Sequence, residues 1–173
     1  MRLVHCTEAR HAEAILAIFN DAIVNSTALY DYHPRPAASM VGWFETKRAN
    51  GFPVIGYEDD QGTLLGFASY GTFRAWPAFK YSVEHSVYVH KDQRGAGLGR
   101  KLLEALIVEA QARGVHTLVG GIDADNAGSI ALHLQLGFSH AGTIRQAGFK
   151  FGRWLDLAFY QLLLPTPQQP VDG

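Results

Sequence analysis

The chain has 173 residues, of which 47% are hydrophobic and 18% are charged, and this balance is typical of a globular protein built on a single core. A formal net charge of −1 argues against nucleic acid as the main partner, and the single cysteine excludes an internal disulfide. Because no apolar run approaches the ~20 residues that span a bilayer, and no signal peptide precedes the first strand, we expect a cytoplasmic protein without a membrane partner.

The first half of the chain predicts one strand, two helices and a pair of strands. Apolar residues recur at helical spacing after Thr7, whose hydroxyl is expected to cap the first helix. A loop that carries Tyr30 separates the two helices, and a second aromatic loop carries Trp76. The predicted elements are a strand at 3–6, helices at 8–25 and 39–50, and strands at 53–57 and 64–70 joined by a turn at 59–62.

The second half alternates strands and helices before it closes with two strands. Gly114 is expected to end the third helix, and Asn126 or Asp125 to cap the fourth, which ends near Gly137. The predicted strands lie at 84–90, 117–122, 139–146 and 154–164, and the one at 117–122 has few polar residues and should be central. This order predicts a mixed α/β domain at 1–164 with a largely antiparallel front half, followed by a flexible tail at 165–173.

A glycine-rich turn between the strand at 84–90 and the third helix is the most informative segment. Such a turn directs backbone N–H groups and the positive pole of a helix at one point, which favours a phosphate or pyrophosphate. Glycine lets the anion approach the backbone closely. A dinucleotide fingerprint fails because Arg100 stands where a third glycine is required, and a P-loop fails because Gly99-Arg100-Lys101 lacks the Lys-Ser/Thr ending. Coenzyme A is the remaining ligand of this class.

The pattern Arg94-x-x-Gly97-x-Gly99 resembles the Q/R-x-x-G-x-G/A signature of the GCN5-related N-acetyltransferase (GNAT) superfamily, and Asn126 to Phe138 resembles its second cofactor segment. The resemblance implies a mostly antiparallel sheet with splayed central strands and about four helices, and acetyl-CoA as co-substrate. The implied cofactor contacts are Val87, Tyr88, Val89, Arg94, Gly95, Ala96, Gly97, Leu98, Gly99, Arg100, Asn126 and Ser129.

Two further segments, 83–89 and 148–156, resemble the phosphinothricin and methionine sulfoximine acetyltransferases within this superfamily. The resemblance implies acetylation of the α-amino group of small amino-acid analogues by a homodimer. It also implies a catalytic pair, Glu84 and His133, with the histidine standing where the wider superfamily usually has a tyrosine. Either residue is chemically able to move the ammonium proton, so the identity of the base stays open.

The substrate pocket is expected to use the second aromatic loop. Arg74 is the leading candidate for the substrate α-carboxylate, because a guanidinium binds a carboxylate through paired hydrogen bonds. Ala75, Trp76 and Tyr30 are predicted to contact the substrate together with Glu84. No metal is expected, since the eight histidines form no ligand motif.

Other functions remain open at this stage. The chain could acetylate another small amine, such as a polyamine or an antibiotic, or a protein N-terminus. It could also be a CoA-binding sensor without turnover, although the presence of both Glu84 and His133 argues against this. Release of free thiol from acetyl-CoA with a panel of amines separates these possibilities.

Overall fold

The structure, a computed structural model, describes residues 1–172. Within these residues the helices are Glu8–Asn25 (α1), Ser39–Ala49 (α2), Leu98–Ala112 (α3) and Ala127–Gln135 (α4). The strands are Arg2–His5 (β1), Val54–Glu58 (β2), Leu64–Thr72 (β3), Ser82–Val89 (β4), Thr117–Asp123 (β5), Ser139–Lys150 (β6) and Arg153–Leu163 (β7). Short 3-10 helices occupy Pro77–Phe79 and Lys91–Gln93. The predicted order of strands and longer helices is confirmed.

The described strands form one seven-stranded sheet in the order β1-β2-β3-β4-β5-β7-β6. The pairs β1–β2, β2–β3, β5–β7 and β6–β7 are antiparallel, whereas β4 and β5 run parallel. The predicted mixed α/β class and the central position of β5 are therefore confirmed. Direct β4–β5 pairing covers Ser82 to Glu84 on β4 and Thr117 to Val119 on β5.

The chain divides into two compact units, and the first contains residues 1–70 and 86–106. Its core is built from apolar side chains of α1, α2, β2, β3 and β4, because the helical spacing of the apolar residues gives each helix one buried face. The buried members of this core are Ile15, Ile18, Phe19, Ala22, Met40, Phe44, Val54, Leu64, Phe67 and Tyr88.

The expected cap of α1 by the Thr7 hydroxyl is wrong. The Thr7 side chain makes no capping hydrogen bond. Its backbone N–H instead donates to Nδ1 of His11, 2.8 Å away. The other ring nitrogen of His11 then donates to the buried Glu58 carboxylate at 2.9 Å, so a histidine in the first turn connects the helix start to β2.

The second unit contains residues 71–85 and the chain from 107 onward. Here β5 is buried along most of its length, and Leu118 and Leu155 are almost completely shielded from solvent. The segment after β7 also makes contacts, since His116 Nδ1 donates to the Thr166 carbonyl at 2.9 Å and the Val171 N–H donates to the Tyr81 hydroxyl at 3.1 Å. Gly173, the end of the predicted tail, lies outside the described residues. The single-domain boundary at 164 and the flexible tail stay predictions.

Candidate active site

The glycine-rich turn of the first unit connects the 3-10 helix at Lys91–Gln93 to α3. Gly95 and Gly97 have positive φ angles of +79° and +77°, a region that side chains other than glycine rarely adopt. An added Cβ at either position would meet no atom within 4 Å. The two glycines are therefore required by the backbone conformation of an open turn rather than by tight packing.

The first turn of α3 is electrostatically suited to an anion. It contains no acidic residue, and Arg100 and Lys101 place two cations there. The positive pole of the helix adds partial charge of the same sign. The turn and the helix start together provide backbone N–H groups and positive charge of the kind that bind a pyrophosphate, so the predicted segment at 94–100 fits the pyrophosphate of coenzyme A.

An ion pair within the first unit fixes one end of this turn. The Arg94 guanidinium donates to the Asp21 carboxylate at 2.6 Å and to the Val89 carbonyl at 3.4 Å. The Arg94 side chain is thus engaged by the protein itself, which leaves its backbone for the predicted cofactor contact. Sequence reasoning did not identify Asp21, because α1 and the turn are 73 residues apart.

The strand before the turn directs alternate side chains to opposite faces. Tyr88 is buried, and its ring lies 5.2 Å from that of Phe19 and 5.5 Å from that of Phe67. Val87 and Val89 are half-buried. Tyr88 therefore packs its side chain into the core, so only its backbone is suited to the predicted cofactor contact. Tyr30, which also belongs to the first unit, is 41% exposed.

Glu84 is a half-buried carboxylate in the second unit, at the last residue of β4 that pairs with β5. No hydrogen bond to this carboxylate is found within residues 1–172. Burial raises the pKa of Glu84, and the charge of Arg74 partly opposes the rise. The predicted substrate residue Arg74 therefore acts on the predicted base. The Arg74 guanidinium stacks over the Phe73 ring at 4.5 Å and donates to the Phe73 carbonyl at 3.0 Å.

His133 is buried and bonded to a second histidine that sequence reasoning did not identify. Its Nε2 lies 2.9 Å from Nε2 of His85, and its Nδ1 lies 2.7 Å from the Ser129 carbonyl. Both rings contact the Phe138 ring, whose centroid lies 5.3 Å from that of His85 and 4.9 Å from that of His133. Burial lowers the pKa of His85 to about 3 and also lowers that of His133. Both imidazoles are therefore neutral near pH 7.

Two consecutive glycines of β5 make room for these side chains. A Cβ added to Gly120 would lie 2.9 Å from Cε1 of His85, and one added to Gly121 would lie 3.0 Å from Oε1 of Glu84. Because successive residues of a strand face opposite sides of the sheet, the histidine pair and Glu84 lie against opposite faces of β5. The structure thus places both predicted catalytic residues in the second unit but does not bring their side chains together.

Residues 14–138 match the family model described as the acetyltransferase (GNAT) family. The chain belongs to this family. A methionine sulfoximine/methionine sulfone acetyltransferase of Pseudomonas aeruginosa is 50% identical over 157 residues, covering 90% of this chain and 91% of the relative.

Two solved structures show the same fold. A phosphinothricin acetyltransferase of Sinorhizobium meliloti in complex with acetyl-CoA superposes with a TM-score of 0.93 at 34% identity, covering 99% of this chain and 94% of the other. A ribosomal-protein-alanine N-acetyltransferase of Brucella melitensis superposes with a TM-score of 0.92 at 47% identity, covering 95% of this chain and all of the other. The resemblance read from the glycine turn is confirmed.

The remaining predicted residues of the GNAT site lie in the second unit. The Asn126 side chain accepts a hydrogen bond from the Ser129 N–H at 3.0 Å, so Asn126 is the residue that caps α4. Ala75 is exposed and Trp76 is 68% exposed, in the loop that follows Arg74. Among residues 1–172, no three histidine, cysteine or acidic side chains are grouped closely enough to hold a metal ion. The helices of these residues are also too short or too polar to span a membrane.

Proposed function

We propose that this chain transfers the acetyl group of acetyl-CoA to the α-amino group of a small amino acid, with methionine sulfoximine, methionine sulfone and phosphinothricin as candidate substrates. The observation that carries the proposal is the combination of Glu84 and Arg74 in one unit. A carboxylate with no hydrogen-bond partner among residues 1–172 is available to take the ammonium proton, and an exposed guanidinium nearby is available to bind a substrate carboxylate. The names of the relatives support the same substrate class.

In this mechanism Glu84 acts as the base. A thioester is attacked only by a neutral amine, so Glu84 first removes a proton from the substrate ammonium, directly or through a water. The amine nitrogen then forms a bond to the thioester carbonyl carbon and the carbon–sulfur bond breaks. The nitrogen gives up its second proton as the amide forms, the leaving thiolate takes up one proton to become the free thiol, and Glu84 returns the first proton to water. A backbone N–H near Val87 or Tyr88 stabilises the negative charge that develops on the carbonyl oxygen.

The raised pKa of Glu84 suits this task. A carboxyl group whose pKa lies above its usual value is a stronger base once ionised, and the charge of Arg74 opposes part of the rise in the pKa of Glu84. The same guanidinium has further N–H groups beyond the one that bonds the Phe73 carbonyl. Arg74 can thus bind a carboxylate and adjust the base at the same time.

A second candidate substrate is the α-amino group of a protein. The Brucella structure, 47% identical, is named as a ribosomal-protein-alanine N-acetyltransferase. The two substrate classes differ in one chemical feature, because a free amino acid carries a carboxylate next to the amine whereas a peptide N-terminus carries an amide. The exposed Arg74 favours the free amino acid, since a charged group recognises a carboxylate far better than an amide.

The test is thiol release from acetyl-CoA with a matched panel of amines. The panel contains methionine sulfoximine, methionine sulfone, phosphinothricin, a polyamine, and a short peptide with an N-terminal alanine. We expect the amino-acid analogues to give the highest kcat/KM, and Glu84→Gln to remove the activity while binding of acetyl-CoA persists. A higher kcat/KM for the peptide or the polyamine would overturn the substrate class, and the absence of thiol release with every amine would favour a CoA-binding sensor.

We also propose that the chain is a homodimer located in the cytoplasm. Large apolar side chains of β6 and β7 are exposed, including Ile144 at 52%, Phe149 at 46% and Trp154 at 58%. Exposed apolar side chains on neighbouring strands favour an interface with another chain. Sedimentation velocity tests the dimer, with Trp154→Glu as the variant expected to yield monomers. Use of acetyl-CoA favours the cytoplasm, which cell fractionation tests.

A further inference from the structure

The proton positions of the buried pair follow from its partners. The Ser129 carbonyl is only an acceptor, so Nδ1 of His133 carries a proton and donates to it. In the neutral ring Nε2 of His133 is then an acceptor, and the proton in the 2.9 Å contact belongs to Nε2 of His85. Both nitrogens of His133 are therefore occupied by protein partners. A histidine in this state has no lone pair available to a substrate.

The surroundings keep the pair uncharged. Groups that contact the two rings include the Phe138 ring, the Ser129 carbonyl and the backbone of Val119 and Gly120, and none of these is charged. Within residues 1–172, Nδ1 of His85 has no partner in hydrogen-bonding geometry, although the backbone of Val119 lies close enough to favour the protonated ring slightly. Two positive charges 2.9 Å apart in such a place are excluded by repulsion and burial.

The position of the pair in the sheet indicates its task. His85 is the first residue of β4 after the last pair with β5, Glu84 with Val119. His133 lies on α4. The bond between the two rings therefore connects α4 to β4 at the point where the direct pairing of β4 and β5 stops, and it does so on the face of β5 opposite to Glu84.

We propose that His85 and His133 form a positioning pair, which holds α4 against β4 where β4 leaves β5, and that Glu84 alone takes the substrate proton. The inference rests on the proposed acetyl transfer to an amino acid. It assigns a role to His85 and removes the proton-transfer role from His133. The pair acts through the backbone of β4, which carries Glu84 as the neighbouring residue.

Substitutions that keep the hydrogen bond but cannot titrate separate the two roles. His133→Gln and His85→Gln each retain an amide able to bond the remaining histidine, whereas His85→Leu fills the space without a polar atom. With methionine sulfoximine we expect both glutamine variants to keep kcat and the pH dependence of kcat/KM near wild-type. We expect His85→Leu to lower kcat by about 10- to 100-fold, as misplaced catalytic groups do, with the pH dependence unchanged.

Two kinetic results would overturn the proposal. If His133→Gln lowers kcat by about 10²–10⁴-fold and removes a limb of the pH profile while His85→Gln behaves as wild-type, His133 transfers the proton. If His85→Leu has the same kcat as the glutamine variants, the hydrogen bond between residues 85 and 133 does not position Glu84. Circular dichroism and the acetyl-CoA affinity of each variant show whether the variant is folded. If His85→Leu does not fold, the two glutamine variants still show whether His133 transfers the proton.

A substrate-free measurement separates failure of the pair from failure of the proposed function. The ¹⁵N chemical shifts of the imidazole nitrogens report protonation of each ring in the free protein. We expect both rings to be predominantly neutral between about pH 6.5 and 8, because burial lowers the pKa of each ring below its usual value, and we expect the proton of His133 on Nδ1. Titration of His133 within that interval, or a proton on its Nε2, would overturn the positioning pair, even in a protein that does not acetylate methionine sulfoximine.

Discussion

Replacing Gly97 by alanine should weaken acetyl-CoA binding by about 5- to 30-fold. Gly97 has a φ angle of +77°, and an added Cβ would meet no atom within 4 Å. The cost is therefore backbone strain alone, about 1–2 kcal/mol for a residue with a side chain in the left-handed region. Because residue 97 is exposed, the free turn can relax out of this conformation. Binding then has to restore it, and ~1.4 kcal/mol corresponds to a tenfold change in Kd.

Isothermal titration calorimetry with acetyl-CoA measures this effect, and Gly62→Ala is the matched control. Gly62 lies in the turn between β2 and β3, has a φ angle of +83°, and also has no atom within 4 Å of an added Cβ. The control carries similar strain at a position outside the cofactor turn, so its Kd should equal that of wild-type. A wild-type Kd for Gly97→Ala would refute the assignment of the turn to the pyrophosphate.

The remaining predictions concern three charged side chains, Glu84, Arg74 and Glu58. If Glu84 is the base, Glu84→Gln should lower kcat by about 10²–10⁴-fold with little change in acetyl-CoA affinity. The charge of Arg74 lowers the pKa of Glu84, so Arg74→Ala should raise that pKa and move the acidic limb of kcat/KM to higher pH; an unmoved limb would contradict Glu84 as base. Arg74→Ala should raise KM for methionine sulfoximine by about 10- to 150-fold, because the paired contact with the substrate carboxylate contributes ~1.5–3 kcal/mol. The KM for the decarboxylated analogue should hardly change, and an equal rise in KM for both compounds would mean that Arg74 only supports the loop. Hydrogen bonds from Arg2 and His11 lower the pKa of Glu58 from 4.5 to about 2. The contribution of Glu58 to stability is therefore complete above pH 4.5 and is lost as the pH falls towards 2. Urea unfolding should show this loss in wild-type, and an identical loss in Glu58→Gln would exclude the ionised Glu58 and its hydrogen bonds as the source.

The order of helices and strands could be predicted because each element has a local signal. The apolar spacing of α1 and the glycine after α3 act within a few residues of the structure they specify. The glycine-rich turn could also be predicted from the sequence, since its backbone conformation depends on the glycines at 95 and 97 themselves. The capping interaction of α1 could not be predicted. Threonine is a common N-cap residue, but here the Thr7 backbone N–H donates to the side chain of His11, four residues later.

The histidine pair could not be predicted from spacing, since 48 residues separate His85 from His133. One local signal was present. Consecutive glycines are unusual within a buried strand and indicate the close approach of other groups, and Gly120-Gly121 in β5 has histidines against one face and Glu84 against the other. The signal marks a position where something approaches but does not say which residues do.

Glu84, the proposed base, is adjacent in sequence to His85, the proposed positioning residue. Neighbouring residues of a strand face opposite sides of the sheet, so a carboxylate on one face of β4 requires the next side chain to point to the other. At residue 85 that side chain is an imidazole bonded to α4. A movement of α4 that shifts His133 therefore pulls on the backbone next to Glu84, at the last β4 residue held by pairing with β5. If Glu84 is the base, its position then depends on the buried bond between His85 and His133, which in the proposed arrangement takes no part in proton transfer.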